Sequence, residues 1–334
     1  MYLSTLLFLI LNFYIVAPDC GCDVSRTDGD EHCDTKGENL YTKESNELPI
    51  EDNNNTWYTG FEKMVLIKRA DFEMGTNEPV FENDFEDPVR NVTVGSFYLD
   101  IYEVSNKDFK IFVEATGYKT EAEVFGDSFI FEQLITEEER ESLKDFRAVQ
   151  APWWVKMKGV TWMHPEGPES NILDRMDHPV IHVSWNDAVA FCKHLGKRLP
   201  TEAEWEMGCR GGLRQRLYPW GNKLNAKDKH WANLWQGNFP ETNTAEDGFM
   251  ATAPVTEFPP NRFGLYNMAG NVWEWTQDTW TSNKALRVKK GGSYLCHRSY
   301  CWRYRCAARS HNTRDTSAGN LGFRCAANVP YEIY

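Results

Sequence analysis

L-P-T-E-A-E-W-E, residues 199–206, is the stretch from which the architecture of the chain can be read. Thr201 and Glu204 stand three apart ahead of Trp205. That is the spacing of a capping box, in which each side chain satisfies a backbone N–H left open by the first helical turn. The pattern predicts a helix that carries Trp205 and runs to about Cys209. Glu204 and Glu206 form a near pair of carboxylates, yet cap and solvated helix face account for them better than acid–base chemistry. Upstream, Pro179-Val-Ile-His-Val-Ser184 predicts a short strand feeding a helix from Asn186 to Leu195 that Gly196 closes. The same grammar occurs earlier. Val92 to Leu99 alternates apolar residues as a strand does. Ser105 to Asp108 then offers a capped helix start, with Phe109, Phe112 and Val113 on one face and Gly117 past the end. Beyond Gly211, frequent Gly, Pro and Asn predict long, irregular but packed connections.

Outside this region the chain changes character. Residues 1–17 are mostly apolar but too short and polar-flanked to span a bilayer, and Ile15 and Ala17 fit the minus-three and minus-one places of a signal-peptide cleavage site. No Lys or Arg precedes the apolar run. Asp23 to Asn55 is polar and acidic and cannot bury enough apolar surface to offset its ordering entropy, so 18–56 is expected to be a flexible extension. From Trp57 the composition is globular, with no linker dividing it, and 57–334 is read as one large domain. The formal charge of −13 argues against a nucleic-acid or anionic-membrane surface. No later apolar run is long enough to cross a membrane. Asn54 and Asn91 head glycosylation sequons.

Chemistry concentrates in K-K-G-G-S-Y-L-C-H-R-S-Y-C-W-R-Y-R-C, residues 289–306. Cys296, Cys301 and Cys306 are five apart, with Arg298, Arg303 and Arg305 among them. Cationic neighbours lower a thiol pKa, so Cys296 and Cys301 can be a redox dithiol or hold a soft metal such as Cu(I). The competing reading makes all three structural half-cystines, and six cysteines from Cys192 to Cys325 allow 15 pairings. Asn233, Asp247, Asn267 and Glu274 supply hard oxygen atoms suited to Ca2+, although no EF-hand spacing is present. Trp273, Trp275, Tyr300 and Trp302 suit either a peptide groove or the core. No phosphate loop, zinc-ligand spacing or Ser-His-Asp arrangement stands out.

G-G-S-Y-L-C-H-R-S-Y-C-W-R-Y-R-C-A-A-R-S with N-L-G-F-R-C-A-A closely resembles the C-terminal part of the formylglycine-generating enzymes, the sulfatase-modifying factors of the endoplasmic reticulum. The likeness extends through G-K-R-L-P-T-E-A-E-W-E (196–206), A-N-L-W-Q-G-N-F-P (232–240) and G-L-Y-N-M-A-G-N-V-W-E-W-T (264–276), and covers roughly residues 57 to 330. L-P-T-E-A-E-W-E and G-N-V-W-E-W are shared with a wider superfamily and carry the fold; the paired cysteines carry the activity. Trp302 stands where the family has tyrosine.

The resemblance implies a single α+β domain poor in regular secondary structure and distantly like C-type lectins. It implies an oxidase that converts the cysteine of a Cys-x-Pro-x-Arg motif in nascent sulfatases to Cα-formylglycine, with O2 and a thiol reductant. Cu(I) would be held by Cys296 and Cys301, with Ser293 and His297 in support. A metal-free alternative has Cys301 oxidised while Cys296 exchanges with the substrate thiol. Disulfides Cys192–Cys325 and Cys209–Cys306 are implied too. So are two structural Ca2+ ions, one held by Asn233, Asp247 and the carbonyls of Leu234 and Phe249. The other would be held by Asn267, Glu274 and the carbonyls of Gly270 and Val272. Cys20 and Cys22 resemble a pair that contacts thiol oxidoreductases, which implies residence in the lumen of the endoplasmic reticulum with partial secretion. The role of Cys33 stays open. Two other classes compete with the oxidase: a catalytically silent sulfatase-binding paralogue, and a Ca2+-dependent lectin-like binding module.

Overall fold

The computed structural model describes residues 60–329. The readings for 1–17, for 18–56 and for Cys20, Cys22, Cys33 and Asn54 lie outside the described residues, as does the expected domain start at Trp57. Asn91 is exposed on a strand.

In chain order the elements are β1 (Met64–Ile67), β2 (Ala70–Met74), β3 (Arg90–Val94), β4 (Phe97–Asp100), α1 (Asn106–Thr116), α2 (Glu121–Phe125), β5 (Asp127–Phe131), α3 (Glu137–Ser142), β6 (Trp154–Lys158), α4 (Trp185–His194) and α5 (Glu202–Arg210). A long irregular stretch follows, interrupted by β7 (Gly237–Asn238) and β8 (Thr242–Asn243). It leads to β9 (Trp273–Thr279), β10 (Leu286–Lys290), β11 (Ser310–Thr313), β12 (Leu321–Gly322) and β13 (Ala326–Asn328). Two sheets organise the rest, with orders β1-β4-β13 and β11-β10-β9-β12. The first joins the two ends of the described region, because β13 pairs with β4, which also pairs with β1. The architecture is α+β with little regular structure.

The helices start where their caps demand. The Ser105 side chain accepts from the Asp108 N–H and opens α1, and Gly117, at φ 67°, closes it. Ser184 with Asp187 caps α4, and Thr201 with Glu204 caps α5, both as reciprocal boxes. Each such cap contributes about 1 kcal/mol. Phe109 and Phe112 of α1 are buried and pack on Phe191 of α4.

Three sequence expectations need correction. Val92 to Leu99 is not one strand: β3 pairs with β2 and β4 with β1, the chain changing sheets at Gly95-Ser96. Pro179 to Ser184 forms only an isolated bridge between Pro179 and Ser105. His182 sits at φ 59° with its ring buried between Ser128 Oγ and the Pro165 carbonyl, and that left-handed residue breaks the extended run. Glu204 and Glu206 do not lie on a solvated face. Helix α5 is buried almost all round; Glu206 is 1% exposed and accepts from Lys290 and Arg210, while Glu204 pairs with Arg198 besides capping. The charges are tolerated inside because each carboxylate meets a cation with good geometry. Where α5 passes closest to its neighbours it carries Gly208, whose Cβ would stand 2.8 Å from Leu99 Cδ2.

The larger core contains Trp154, Trp162, Trp235, Trp273 and Trp275 together with Cys192, Cys325, Cys296 and Cys301. A second, beneath α5, holds Trp205, Cys209 and Cys306. Trp273 and Trp275 are therefore core residues, fully enclosed.

Candidate active site

Strand β10 delivers Lys289 and Lys290 to the turn Gly291-Gly292. Gly292 has φ 69°, and a Cβ there would press on the backbone of Tyr304 at 3.0 Å, so only glycine lets the two limbs of the segment approach. Two tight turns follow. Cys296 N–H donates to the Ser293 carbonyl (2.9 Å) and Cys301 N–H to the His297 carbonyl (2.7 Å). Together they bring Cys296 Sγ and Cys301 Sγ to 2.6 Å, both fully buried.

Ser293 donates its backbone N–H to Cys296 Sγ (3.4 Å), and its Oγ accepts from Asn320 Nδ2 (3.0 Å). His297 is half-buried, its Nδ1 2.7 Å from Ser299 Oγ, and burial lowers its pKa. It lines a cavity of about 350 Å3 with His230, Trp235, Arg298 and Tyr304. The backbone N–H of Trp235 donates to the Cys296 carbonyl (3.2 Å), which places that cavity against the cysteine turn. Tyr300 stacks on Phe239 at 4.4 Å and meets Trp153 edge-on at 5.0 Å, forming an aromatic wall beside Cys301. Trp302 donates its indole N–H to Tyr218 Oη and is covered by Arg298.

The interleaved arginines do not serve the thiols as the sequence suggested. Arg303 forks onto Asp84 and Arg305 onto Glu86, all four buried, so their charge is largely balanced before it reaches sulfur. Burial pushes the Cys296 thiol up to about 12, with the Ser293 N–H, Arg303 and Lys289 opposing. Desolvation outweighs the nearby cations.

The remaining cysteines lie where staples would. Cys192 meets Cys325 and Cys209 meets Cys306, each with Cα atoms 5.7 Å apart.

The oxygen-bearing residues gather in two neighbouring clusters. In the first, Asp247 accepts from the N–H groups of Leu234 (2.9 Å) and Phe249 (3.1 Å). Asn233 donates to Ala251, while its buried Oδ1 meets no hydrogen-bond donor among the described residues. In the second, Asn267 Oδ1 is buried in the same condition, and its Nδ2 donates to Glu103 Oε2 (3.0 Å). Glu274 accepts three hydrogen bonds, two from Arg324 and one from Trp205, which leaves one of about four lone-pair sites open. Gly270 packs so tightly between the clusters that a Cβ would stand 2.4 Å from the Asn233 carbonyl. Val272 is buried beside Asn271, which donates to Glu103 Oε1 (2.9 Å) and whose Oδ1 accepts from Asn233. Burial and the charge of Glu274 raise Glu103 to about 7 against the pull of Arg324. The second cluster thus buries two carboxylates against one guanidinium. Among the described residues, no three His, Cys, Asp or Glu side chains converge as a metal cluster, so any hard ion here would depend on amide and carbonyl oxygens.

Sequence reasoning missed Glu103, Asn271, Asn320, Asp84 and Glu86. Asn271 and Asn320 lie inside quoted motifs, but nothing in their spacing points to Glu103 or to Ser293. Glu103, Asp84 and Glu86 partner residues far away along the chain, and a single sequence carries no signal of that.

The model of the sulfatase-modifying factor enzyme 1-like domain matches residues 51–329. The chain is 54% identical over 327 residues to the formylglycine-generating enzyme of Mus musculus, covering 94% of this chain and 87% of the relative. It is 59% identical over 280 residues to that of Bos taurus, covering 80% and 75%. The solved structure of PvdO from Pseudomonas aeruginosa superposes with a TM-score of 0.58 at 23% identity, over 80% of this chain and 94% of that one, and shares the fold. Among the described residues no helix is long and apolar enough to cross a membrane.

Proposed function

We propose, on the premise that the chain belongs to the sulfatase-modifying factor enzyme 1-like family, that it oxidises a cysteine of sulfatases to Cα-formylglycine. The observation that carries the reading is the buried Cys296–Cys301 pair, held by two turns against a cavity. The substrate is a Cys-x-Pro-x-Arg segment of a nascent sulfatase. Turning the thiol-bearing methylene of its cysteine into an aldehyde, with loss of hydrogen sulfide, removes two electrons from carbon. Complete reduction of O2 takes four, one oxygen entering the aldehyde and the other leaving as water. An external thiol pair supplies the other two electrons and leaves as a disulfide.

Cys296 and Cys301 would hold Cu(I), since the site offers two sulfurs in a dry setting and soft ligands select that ion over harder ones. When bound, the ion supplies one-electron and O2 chemistry that side chains lack. The chain's own residues do the rest. The Ser293 N–H orients Cys296 Sγ, and Asn320 fixes the Ser293 hydroxyl. His297 stands at the cavity rim, where it can pass a proton to or from an entering thiol. Tyr300, Phe239 and Trp153 pack on one another and on the core that encloses Cys301.

Two Ca2+ ions would be structural. The partnerless Oδ1 atoms of Asn233 and Asn267 suit such ions, joined by Asp247 and the Leu234 and Phe249 carbonyls, and by Glu274 and the Gly270 and Val272 carbonyls. The protein would work in the lumen of the endoplasmic reticulum, partly secreted, meeting thiol oxidoreductases through Cys20 and Cys22.

The test is incubation with a Cys-x-Pro-x-Arg peptide, Cu(I), a thiol and O2, with aldehyde read by mass. Conversion supports the oxidase. Peptide binding without conversion would make the chain a silent sulfatase-binding paralogue, and glycan binding that survives loss of both thiols would make it a lectin-like module. Turnover in rigorously copper-free enzyme would reject copper and leave the reaction standing.

A further inference from the structure

From Cys301 to Tyr304 the backbone belongs to no helix or strand, so ladder hydrogen bonds do not decide where the Cys301 thiol points. The turn hydrogen bond from Cys301 N–H to the His297 carbonyl fixes its entry, and beyond Cys301 side chains hold the limb. The covalent anchor, Cys209–Cys306, lies at the far end of this limb. Nearer to Cys301 are two buried, two-pronged ion pairs. Arg303 grips Asp84 at 2.6 and 2.9 Å, and Arg305 grips Glu86 at 2.6 and 2.5 Å. A planar fork of this kind fixes orientation as well as distance.

The loop bearing both carboxylates is itself pinned. Gly75 N–H donates to Glu206 Oε1 (2.8 Å), the Gly75 carbonyl accepts from Arg210 (2.9 Å), and Thr76 N–H donates to the Glu86 carbonyl (3.0 Å). Glu206 also accepts from Lys290 (3.1 Å), which immediately precedes Gly291. Both limbs of the cysteine segment are therefore tied to one loop, through buried ion pairs joined by the Gly75 and Thr76 backbone. The entering limb is held through Lys290 and Glu206; the departing limb is held through Arg303 and Arg305.

We propose that Asp84 and Glu86 are positioning residues for the Cys296–Cys301 pair, keeping the departing limb in register with the limb that Lys290 anchors. This rests on the reading of that pair as the reactive centre. Neither carboxylate lines the 350 Å3 cavity, and both are buried, so they act through Arg303 and Arg305 rather than on substrate.

The experiment uses the full chain, reduced beforehand, with two disrupting variants and one conservative control. Asp84→Leu with Arg303→Met removes both charges at similar volume, a replacement that buried pairs often tolerate. Arg303→Lys keeps the charge and loses the fork. For each, kcat and KM on the peptide are measured alongside the affinity of the Cys296–Cys301 dithiol for phenylarsine oxide, read as the binding that Cys296→Ser abolishes, because Cys20-Gly-Cys22 and the reduced staples also present close sulfurs. The expected result is a fall in kcat of roughly ten- to a hundredfold with KM little changed, the cost of a small misplacement of reacting groups. Arsenical affinity should weaken in parallel, and Asp84→Glu, which retains a carboxylate, should recover most of both. Wild-type kcat and arsenical affinity in either folded variant would overturn the proposal, as would a defect confined to KM. If the wild type makes no aldehyde, the functional reading fails; the arsenical comparison needs no turnover and still judges the positioning.

Discussion

Cys192–Cys325 and Cys296–Cys301 are buried in the same apolar core, yet they differ in what a link between them can do. Cys192 and Cys325 are separated by 133 residues and join helix α4 to the segment just ahead of β13. In the chain-entropy account, closing such a loop restricts the unfolded chain by roughly 5 kcal/mol, and the 97-residue separation of Cys209 and Cys306 by nearly as much. A link across five residues restricts it by only roughly 2 kcal/mol. The turn hydrogen bonds at Ser293 and His297 already hold that short loop. Two sulfurs placed together where stapling adds least, beside a cavity, fit the reactive role proposed for them better than a staple's. Separation along the chain thus ranks the pairs by how much a link restricts the unfolded chain.

The largest effect should fall on activity. Cys301→Ser and Cys296→Ser should each reduce aldehyde formation by at least about a thousandfold, as loss of a reacting group does. Melting temperature should move no more than about 2–4 °C, the equivalent of about 1 kcal/mol in a domain of this size. A large drop in melting temperature with activity retained would make this pair a staple and erase the contrast. The converse experiment replaces Cys192 and Cys325 together by Ala. Stability in denaturant should fall by about 2–5 kcal/mol while kcat at low temperature stays near wild type.

Calcium should act on the staple side of the comparison. Chelation should lower the melting temperature, and readdition at about 100 times the dissociation constant should restore about 2.7 kcal/mol. A loss of kcat without any thermal shift would move the ions to the reactive side instead.

The smallest effect is a pH dependence. Helix α4, which carries Cys192, also carries Asp187, whose carboxylate accepts from Tyr118 and from the Glu121 N–H. Asn186 donates to Glu121 Oε1, and Glu123 and Asp315 also face this acidic group. Burial, then the charge of Asp187, raises Glu121 to about 8 from 4.5, and burial raises Asp187 to about 6. A carboxyl that holds its proton more tightly when folded gives stability that is complete below its unfolded pKa and is lost as pH rises through the folded one. Glu121→Gln should therefore flatten the decline in stability between pH 5 and 8 by at least about 1 kcal/mol. An unchanged pH profile in calorimetry would show that this junction does not titrate.

Much of the local grammar was legible. Ser105 and Thr201 cap their helices because a cap depends on a residue and a partner three positions on, which a single sequence displays. The reading failed where partners came from elsewhere. Glu206 looked solvated by its neighbours in sequence and is enclosed by Lys290 and Arg210. Arg303 and Arg305 looked like thiol activators and are spoken for by Asp84 and Glu86. Val92 to Leu99 alternated like one strand, but pairing, which is non-local, divided it between two sheets.

By itself the sequence determined the helix starts and, through motif resemblance, the family and the two cysteines to watch. Those are short-range properties: hydrogen bonds within one turn and residue types at fixed spacing. The tertiary structure alone decided which charges are buried together, which carboxylates hold the cysteine segment, and that Glu103 and Asn271 join the oxygen clusters. Desolvation and ion pairing act through space, between residues as distant along the chain as Asp84 and Arg303, and their energies exist only once the chain has folded.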